Sequence, residues 1–278
     1  MTNCIDSHHH LWRYNAVEFD WIDDSMSCLR RDYLPRDLED VLQADGIDGS
    51  IVVQARQSLE ETNWLLGAAA GCAAIRGVVG WAPVASASFE RELEEIVSNR
   101  ALKGLRHVIQ AEPDKNYILR EDFNRGISAL ANTGLVFDLL IFECQLPQTI
   151  EFVDRHPNQR FVLDHIGKPA VALGKLEPWR TNLIELAKRE NVSCKVSGMV
   201  TEVSWKSWTE DDLRPYWDCV LDAFTPRRLM FGSDWPVCVV ASSYSIWFQW
   251  VLGWSGQLSA SEQKRIMGAT ATEVYSLR

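Results

Sequence analysis

Short runs of apolar and β-branched residues recur along the whole chain, and amphipathic segments separate them. Two of these runs, Ile51-Val52-Val53 and Phe161-Val162-Leu163, are continuously apolar, which is typical of strands that are buried on both faces. We predict eight such strands, within residues 3–10, 49–55, 75–83, 102–109, 135–141, 160–167, 192–198 and 229–236.

Segments of helical length lie between these strands. Ser58-Leu59-Glu60-Glu61 has the capping-box pattern of a helix start, and Phe89, Leu93 and Ile96 share one helical face. Further helices are predicted at 122–131, 146–153, 176–189 and 211–223, with closing helices at 243–250 and 259–277. Strands that alternate with helices indicate parallel βαβ units. The fold class is therefore α/β, and we expect residues 1–278 to form a single domain, a (β/α)8 barrel of the TIM type.

The connection from Leu11 to Pro35, called the first loop here, is longer than the roughly 2–6 residues usual between a strand and its helix. It carries Trp12, Trp21 and Tyr33. Above a barrel mouth, such a loop is more often a lid or a pocket wall than a linker. The sequence leaves open which of these roles it has.

Charge and composition narrow the range of partners. Acidic residues outnumber basic ones by 38 to 28, which gives a net charge of −10 and argues against a nucleic-acid partner. No apolar run approaches the roughly 20 residues that span a bilayer, so no membrane partner is expected. The seven cysteines contain no Cys-x-x-Cys pair, and we expect a cytoplasmic protein. The sequence does not decide between a monomer and a homo-oligomer.

Residues that can bind metals occur at the ends of three predicted strands. His8 and His10 are two apart, so they point to the same side of the first strand. His165 ends the sixth strand and Asp234 ends the eighth. Because the carboxyl ends of all barrel strands meet at one face, these four side chains are expected to converge. Taken alone, the two histidines of the first strand could equally be a hydrogen-bonded polar group at the strand end.

Three imidazoles and a carboxylate are a ligand set that suits Zn²⁺ or a similar divalent ion. A carboxylate at such a site can also take a proton from water and return it to a leaving group. We therefore predict His8, His10, His165 and Asp234 as metal ligands, with Asp234 and His165 catalytic.

Five further residues near the strand ends are predicted to contact the substrate. A guanidinium group can pair with carboxylate or hydroxyl oxygens, although Arg106 could instead form an internal salt bridge and Arg56 could cap the next helix through Glu60. The predicted substrate-binding residues are Arg106, His107, Gln54, Arg56 and Trp12.

These motifs resemble the amidohydrolase superfamily, which has His-x-His after the first strand, a late histidine and an aspartate after the eighth. More closely, the chain resembles the amidohydrolase-related (family 2) branch that includes sugar lactonases. The resemblance extends over essentially the whole chain. The motifs that carry it are Ile5-Asp6-Ser7-His8-His9-His10-Leu11-Trp12, Arg31-Asp32-Tyr33-Leu34-Pro35, Gly104-Leu105-Arg106-His107, Asp164-His165-Ile166-Gly167-Lys168-Pro169, Lys195-Val196-Ser197-Gly198 and Phe231-Gly232-Ser233-Asp234-Trp235-Pro236.

The resemblance implies a hydrolase that opens a small lactone by attack of a water activated by Asp234. The expected substrate is a sugar-acid lactone of the fucono-, rhamnono- or galactonolactone type. Alternatives within the superfamily are hydrolysis of a pyrone-dicarboxylate or a muconolactone, and decarboxylation of an aromatic acid.

The chain departs from the binuclear members of the superfamily, which carry a bridging Lys or Glu on strand 4 and two late histidines. Here strand 4 ends in Arg106-His107, and only strand 6 supplies a histidine. This pattern allows one divalent ion, predicted to be zinc. The alternative is activity without a metal, in which His8, His10 and His165 donate hydrogen bonds to the lactone carbonyl.

Overall fold

The computed structural model describes residues 4–277, in which all eight predicted strands form one parallel sheet in sequential order. Asn3, predicted as the first residue of the first strand, lies outside the described residues. The strands are β1 (Ile5–His9), β2 (Gly49–Val53), β3 (Ile75–Gly80), β4 (Leu102–His107), β5 (Val136–Leu139), β6 (Phe161–Leu163), β7 (Val192–Val196) and β8 (Leu229–Phe231).

The sheet closes between β1 and the segment that follows β8. His9 forms a parallel bridge with Trp235, and the backbone N–H of His10 donates to the Trp235 carbonyl at 2.7 Å. The N–H of Asp234 donates to the His8 carbonyl, also at 2.7 Å. Closure therefore occurs at the carboxyl end of the strands, where the predicted site residues lie.

A helix follows every strand, as in a (β/α)8 barrel. No helix of the described part of the chain is long and apolar enough to cross a membrane. The helices are α1 (Pro35–Asp45), α2 (Leu59–Gly71), α3 (Phe89–Val97), α4 (Glu121–Leu130), α5 (Leu146–Arg155), α6 (Trp179–Ala187), α7 (Glu210–Arg228), α8 (Tyr244–Ser255), α9 (Ala260–Lys264) and α10 (Thr270–Val274).

Three helical regions differ from the prediction. Helix α1 was not predicted, although Pro35 occupies its first turn and Gly46, with φ 69°, caps its end. Helix α7 continues past the predicted end to Arg228, with a backbone break at Thr225. The predicted closing helix 259–277 is instead α9, a π-helical turn at Arg265–Ala269 and α10.

The barrel interior is filled by apolar residues at its lower end. Alternate residues of the strands, among them Ile5, Ile51, Val53 and Met230, pack together with Tyr275, which follows α10. The larger apolar core contains the opposite strand faces and the helices. This filling leaves the carboxyl ends of the strands for polar side chains.

In the structure, the first loop comprises residues 10–34, between the end of β1 and the start of α1, and its own residues pack against one another. Trp12 and Tyr33 pair through two backbone hydrogen bonds of 2.9 Å. Within the loop, the side chains of Phe19, Ile22 and Leu29 are buried. These contacts give the loop a defined position above the barrel.

Candidate active site

A cavity of about 540 Å³ opens at the carboxyl end of the strands. Five of the residues predicted for the site line it: His10, Arg56, Arg106, His165 and Asp234. Trp21 of the first loop and Trp205, which follows β7, add aromatic surface to its walls.

The four predicted ligands meet at one point beside this cavity. The Oδ1 atom of Asp234 lies 3.3 Å from Nε2 of His10, 3.8 Å from Nε2 of His8 and 4.0 Å from Nε2 of His165. The Nε2 atoms of His8 and His10 are 3.2 Å apart. All four side chains are almost completely buried.

The backbone around this cluster is held by the buried carboxylate of Asp6. It accepts hydrogen bonds from the N–H of His8 at 3.1 Å, the N–H of Ser233 at 2.9 Å and the Ser233 hydroxyl at 2.6 Å. One side chain therefore joins the end of β1 to the residue before Asp234. A register shift between Asp6 and His9 lies at the same place in β1.

Two residues of the cluster have a left-handed backbone, with φ 52° for His165 and 56° for Asp234. This conformation costs non-glycine residues on the order of 1–3 kcal/mol and is enriched at functional sites. Its presence in two of the four residues shows that the surrounding structure imposes their orientation.

The Nδ1 atoms of the three histidines face other partners. That of His10 donates to the Val53 carbonyl at 2.8 Å, and that of His165 hydrogen-bonds with the Ser197 hydroxyl at 2.9 Å. The Nδ1 atom of His8 lies 3.3 Å from a carboxylate oxygen of Asp164. Such partners fix the ring orientation of metal-binding histidines and leave Nε2 for the ligand.

Burial controls the charges of the cluster. It lowers the pKa of His165 to about 4 and that of His8 well below its usual value, so both rings are neutral near pH 7. Burial also acts to raise the pKa of Asp234, but the adjacent imidazoles outweigh this effect and hold that pKa well below its usual range. The site thus places the neutral rings of His8 and His165 beside one carboxylate.

This donor set fits a divalent metal ion. Because Nδ1 of His10 donates its proton to a carbonyl, Nε2 is the ring nitrogen left for a metal ion, and it faces the Asp234 carboxylate and His8. Ligand atoms of a tetrahedral zinc ion with bonds of about 2.0–2.1 Å lie about 3.3 Å apart, close to the spacing of these three residues. A cation would relieve the repulsion between the facing lone pairs.

A buried charge network lies beneath the cluster. The Asp164 carboxylate accepts from Arg106 Nη1 at 3.0 Å and pairs with Lys195 Nζ, also at 3.0 Å. Lys195 pairs in turn with Asp138, which accepts a 2.8 Å hydrogen bond from the Tyr275 hydroxyl. Every charge in this chain of contacts has a partner of opposite sign, as burial requires.

Residues 5–277 match the amidohydrolase family. The chain belongs to this family. It is 42% identical to an L-fucono-1,5-lactonase of Burkholderia multivorans, over 98% of this chain and 96% of that protein. It is 32% identical to an L-fucono-1,5-lactonase of Burkholderia ambifaria, over 100% of this chain and 97% of that protein.

A solved structure of a B. multivorans amidohydrolase with bound zinc superimposes with a TM-score of 0.93 at 42% identity, covering 99% of both chains. The predicted resemblance to this family is confirmed, and so is the barrel fold.

His107 and Trp12, predicted to contact the substrate of this amidohydrolase, are not among the described residues that line the cavity. His107 points away from the cavity, where its Nε2 lies 2.6 Å from Glu112 and its ring stacks on Tyr117. Trp12 is 1% exposed, and its indole N–H donates to the Arg31 carbonyl. Neighbouring residues along a strand face opposite sides, so Arg106 and His107 cannot both point inward.

Gln54 and Arg56 occupy supporting positions. The Gln54 side chain is fully buried, and its Oε1 accepts from Arg106 Nη2 at 3.1 Å. Arg56 does line the cavity, and it pairs with Glu18 of the first loop rather than with Glu60. Gln54 therefore holds the guanidinium group of Arg106, and Gln54 itself is not among the described residues that line the cavity.

Several site residues were not among the predicted ones. Asp164 and Lys195 lie within the motifs quoted above, but nothing in their spacing reveals the buried network. Trp21, Glu18 and Glu202 reach the cavity from loops, for which periodicity gives no signal. A buried Lys or Asp is rarely tolerated without a partner, so only the contacts identify their roles.

We expect Gly198→Ala to disturb the position of His165. Gly198 has φ 62°, and an added Cβ would lie 2.4 Å from His165 Nδ1. The change should lower the free energy of unfolding by about 2–6 kcal/mol, the sum of left-handed strain and overpacking. Chemical denaturation measures this effect.

Gly174→Ala is the matched control, because Gly174 has φ 60° and no atom within 4 Å of the added Cβ. It should cost only the backbone strain, about 1–3 kcal/mol, without the overpacking contribution. Equal losses for the two variants would contradict the crowding of His165.

Proposed function

We propose that this amidohydrolase opens the ring of a sugar-acid lactone, with an L-fucono-1,5-lactone as the first candidate. The observation that carries the proposal is the cluster of three imidazole Nε2 atoms around the Asp234 carboxylate at one end of an accessible cavity. The L-fucono-1,5-lactonase of B. multivorans, 42% identical over nearly the full length, supports the choice of substrate.

The charges of the cavity favour a neutral lactone over a pyrone-dicarboxylate. Among the described residues that line the cavity, the Arg and Lys side chains are Arg56, Arg106 and Lys168. Each has a carboxylate partner, Glu18 at 2.6 Å, Asp164 at 3.0 Å and Glu202 at 3.7 Å, respectively. A substrate with two carboxylates would have to compete with these partners, whereas a polyhydroxylated lactone needs no unpaired cation.

Asp234 is the proposed general base. Its carboxylate is ionised near neutral pH, so it can take a proton from the attacking water as the oxygen bonds to the lactone carbonyl carbon. Collapse of the tetrahedral intermediate breaks the ring C–O bond, and Asp234 returns the proton to the leaving ring oxygen. The product is a hydroxy acid with an open chain.

Arg106 and the histidines are proposed to stabilise the charge that develops on the carbonyl oxygen. Arg106 is held by Gln54 and Asp164, so its guanidinium is fixed before the substrate enters. Fixed donors stabilise a transition-state charge without having to reorganise. His165, held through Nδ1 by Ser197, is similarly oriented toward Asp234.

We propose one zinc ion as the cofactor, held by His8, His10, His165 and Asp234. When bound, such an ion supplies Lewis-acid polarisation of a carbonyl oxygen or of water. The zinc-bound structure of the related B. multivorans protein supports this assignment. Catalysis without a metal is the second candidate. It requires an imidazole with its proton on Nε2, which the Ser197 hydroxyl permits for His165 by donating to its Nδ1 atom.

The remaining expectations concern the cell and the assembly. We propose that the chain acts as one domain in the cytoplasm; its seven cysteines, all free, are typical of a reducing compartment. A small-molecule lactone is the proposed partner. Sedimentation decides between a monomer and a homo-oligomer, which the sequence leaves open.

An assay of acid release across a panel of lactones tests the function. We expect turnover of fucono-, rhamnono- or galactonolactones that exceeds turnover of pyrone-dicarboxylate and muconolactones, because the cavity cations are already paired. A pH indicator follows the reaction before and after chelation. Silence on every lactone, together with carbon dioxide release from an aromatic acid, would replace the lactonase with a decarboxylase.

Asp234→Asn should reduce turnover by roughly 10²–10⁴-fold, because the amide cannot accept the proton of the water. The fold should survive, since Asp6, and not Asp234, holds the closure through side-chain hydrogen bonds. Steady-state kinetics and thermal unfolding separate the two effects. Near-normal turnover in a folded variant would exclude Asp234 as the base.

His8→Ala should remove bound zinc. Its Nε2 lies within 3.8 Å of both His10 and Asp234, so its loss takes one ligand from the cluster. Metal analysis of the purified variant measures this directly, without reference to activity. The control is His107→Ala, whose histidine faces Glu112 outside the cavity and should leave the zinc content unchanged. Full zinc content in folded His8→Ala protein would contradict the ligand assignment.

A further inference from the structure

The first loop forms one wall of the cavity. Glu18, Asp20, Trp21 and Met26 all line it, although they belong to the loop and not to a strand end. The loop is fixed by its own packing, in which the Trp12 ring contacts those of Phe19 and Trp21 at centroid distances of 5.6 and 5.9 Å. Its cavity-facing side chains are therefore held at defined positions before a substrate binds.

Glu18 is the residue of this wall that the barrel orients. Its Oε1 pairs with Arg56 Nη1 at 2.6 Å, and the Arg56 guanidinium lies 5.5 Å from the ring of Phe19. Arg56 is positioned in turn by Glu61, whose Oε2 accepts the backbone N–H groups of Ala55 at 3.0 Å and Arg56 at 2.8 Å. A buried acid at the start of α2 thus fixes the arginine that holds Glu18.

The Glu18 carboxylate keeps capacity for a ligand. Its side chain is 44% exposed, and the contact with Arg56 uses one of its two oxygens. An ionised carboxylate accepts several hydrogen bonds, and those from hydroxyl groups to a charged acceptor are among the stronger ones. A carboxylate also repels carboxylate ligands, so the chemistry it recognises is a neutral hydroxyl group.

The opposite side of the cavity has a similar arrangement. Lys168 follows β6 and Glu202 follows β7, and the two side chains lie 3.7 Å apart on the cavity wall. In the closed strand order, β2 and β6 are four strands apart, so Arg56 and Lys168 face each other across the barrel. Trp21 and Trp205 also line the cavity and add aromatic surface suited to the apolar faces of a sugar ring.

We infer that Glu18 is a specificity-determining residue, which accepts hydrogen bonds from the substrate's hydroxyl groups and selects polyhydroxylated lactones. The first loop then selects the substrate, while the residues at the strand ends hydrolyse it. This inference rests on the proposed lactonase function. It gives the long first loop a role that the catalytic cluster leaves unassigned.

The test compares an aldonolactone with analogues that each lack one hydroxyl group. Wild-type protein should lose about 10–100-fold in kcat/KM, mainly through KM, when the hydroxyl that contacts Glu18 is missing, as for hydrogen bonds to charged groups. In Glu18→Gln, which preserves the side-chain size, that penalty should shrink to a few-fold, while penalties at other positions persist. This comparison isolates the contact, because it measures the coupling between one side chain and one hydroxyl.

Asp24→Asn is the matched control. Asp24 lies on the same loop and also pairs with an arginine, Arg30 at 2.8 Å, but its side chain is 97% exposed and is not among the described residues that line the cavity. The Asp24→Asn variant should lose as much kcat/KM on each deoxy lactone as the wild type does. Thermal unfolding of both variants checks that the loop remains packed.

Results that contradict the role of Glu18 differ from the result that contradicts the lactonase function. If Glu18→Gln lowers kcat/KM for all lactones by one factor, Glu18 only holds the loop, and the inference is wrong. The inference is also wrong if Glu18→Gln shows the same loss of kcat/KM on the deoxy lactones as the wild type. It is wrong, too, if the wild type keeps its kcat/KM whichever hydroxyl group is removed. If the wild type hydrolyses no lactone, the proposed function itself fails.

Discussion

The candidate site depends on the closure of the barrel between β1 and the segment after β8. Asp6 accepts hydrogen bonds from the backbone of both sides, and reciprocal backbone contacts join His8 to Asp234 and His10 to Trp235. His8 and His10 lie at one end of the chain and Asp234 near the other. Their separation of a few ångströms depends on this pairing, so closure of the barrel assembles the site.

The barrel interior changes character along its axis. Its lower part is apolar and is completed by Tyr275, while the next level holds the paired charges of Asp138, Lys195 and Asp164. Removing one partner from a buried network leaves an uncompensated charge, which typically costs about 3–5 kcal/mol. The network therefore constrains Arg106 and His8, which both contact Asp164, more tightly than packing alone would. The paired charges thus lie directly beneath the groups that are proposed to be catalytic.

The strand ends and the loops contribute different groups to the candidate site. The strand ends supply the imidazoles and the carboxylate, whose positions are set by hydrogen bonds within the sheet. The loops supply Glu18, Trp21, Glu202 and Trp205, whose positions are set by packing above it. A division of this kind allows the substrate to change by substitution in loops without disturbing the reaction, as is general for barrels of this type.

The sequence by itself determined the eight strands and the convergence of His8, His10, His165 and Asp234, because strand periodicity and the common direction of parallel strands are local properties. It also contained the signals for α1, Pro35 and Gly46, although the helix was not predicted. The alternation of side chains along a strand also implies that His107 faces away from Arg106. Only the tertiary structure decided that Trp12 faces away from the cavity, that Lys195 lies inside the barrel between two carboxylates, and that Glu18 reaches Arg56. These features depend on contacts between residues that are distant in sequence, and no local pattern encodes which partner a buried charge or a loop side chain will meet.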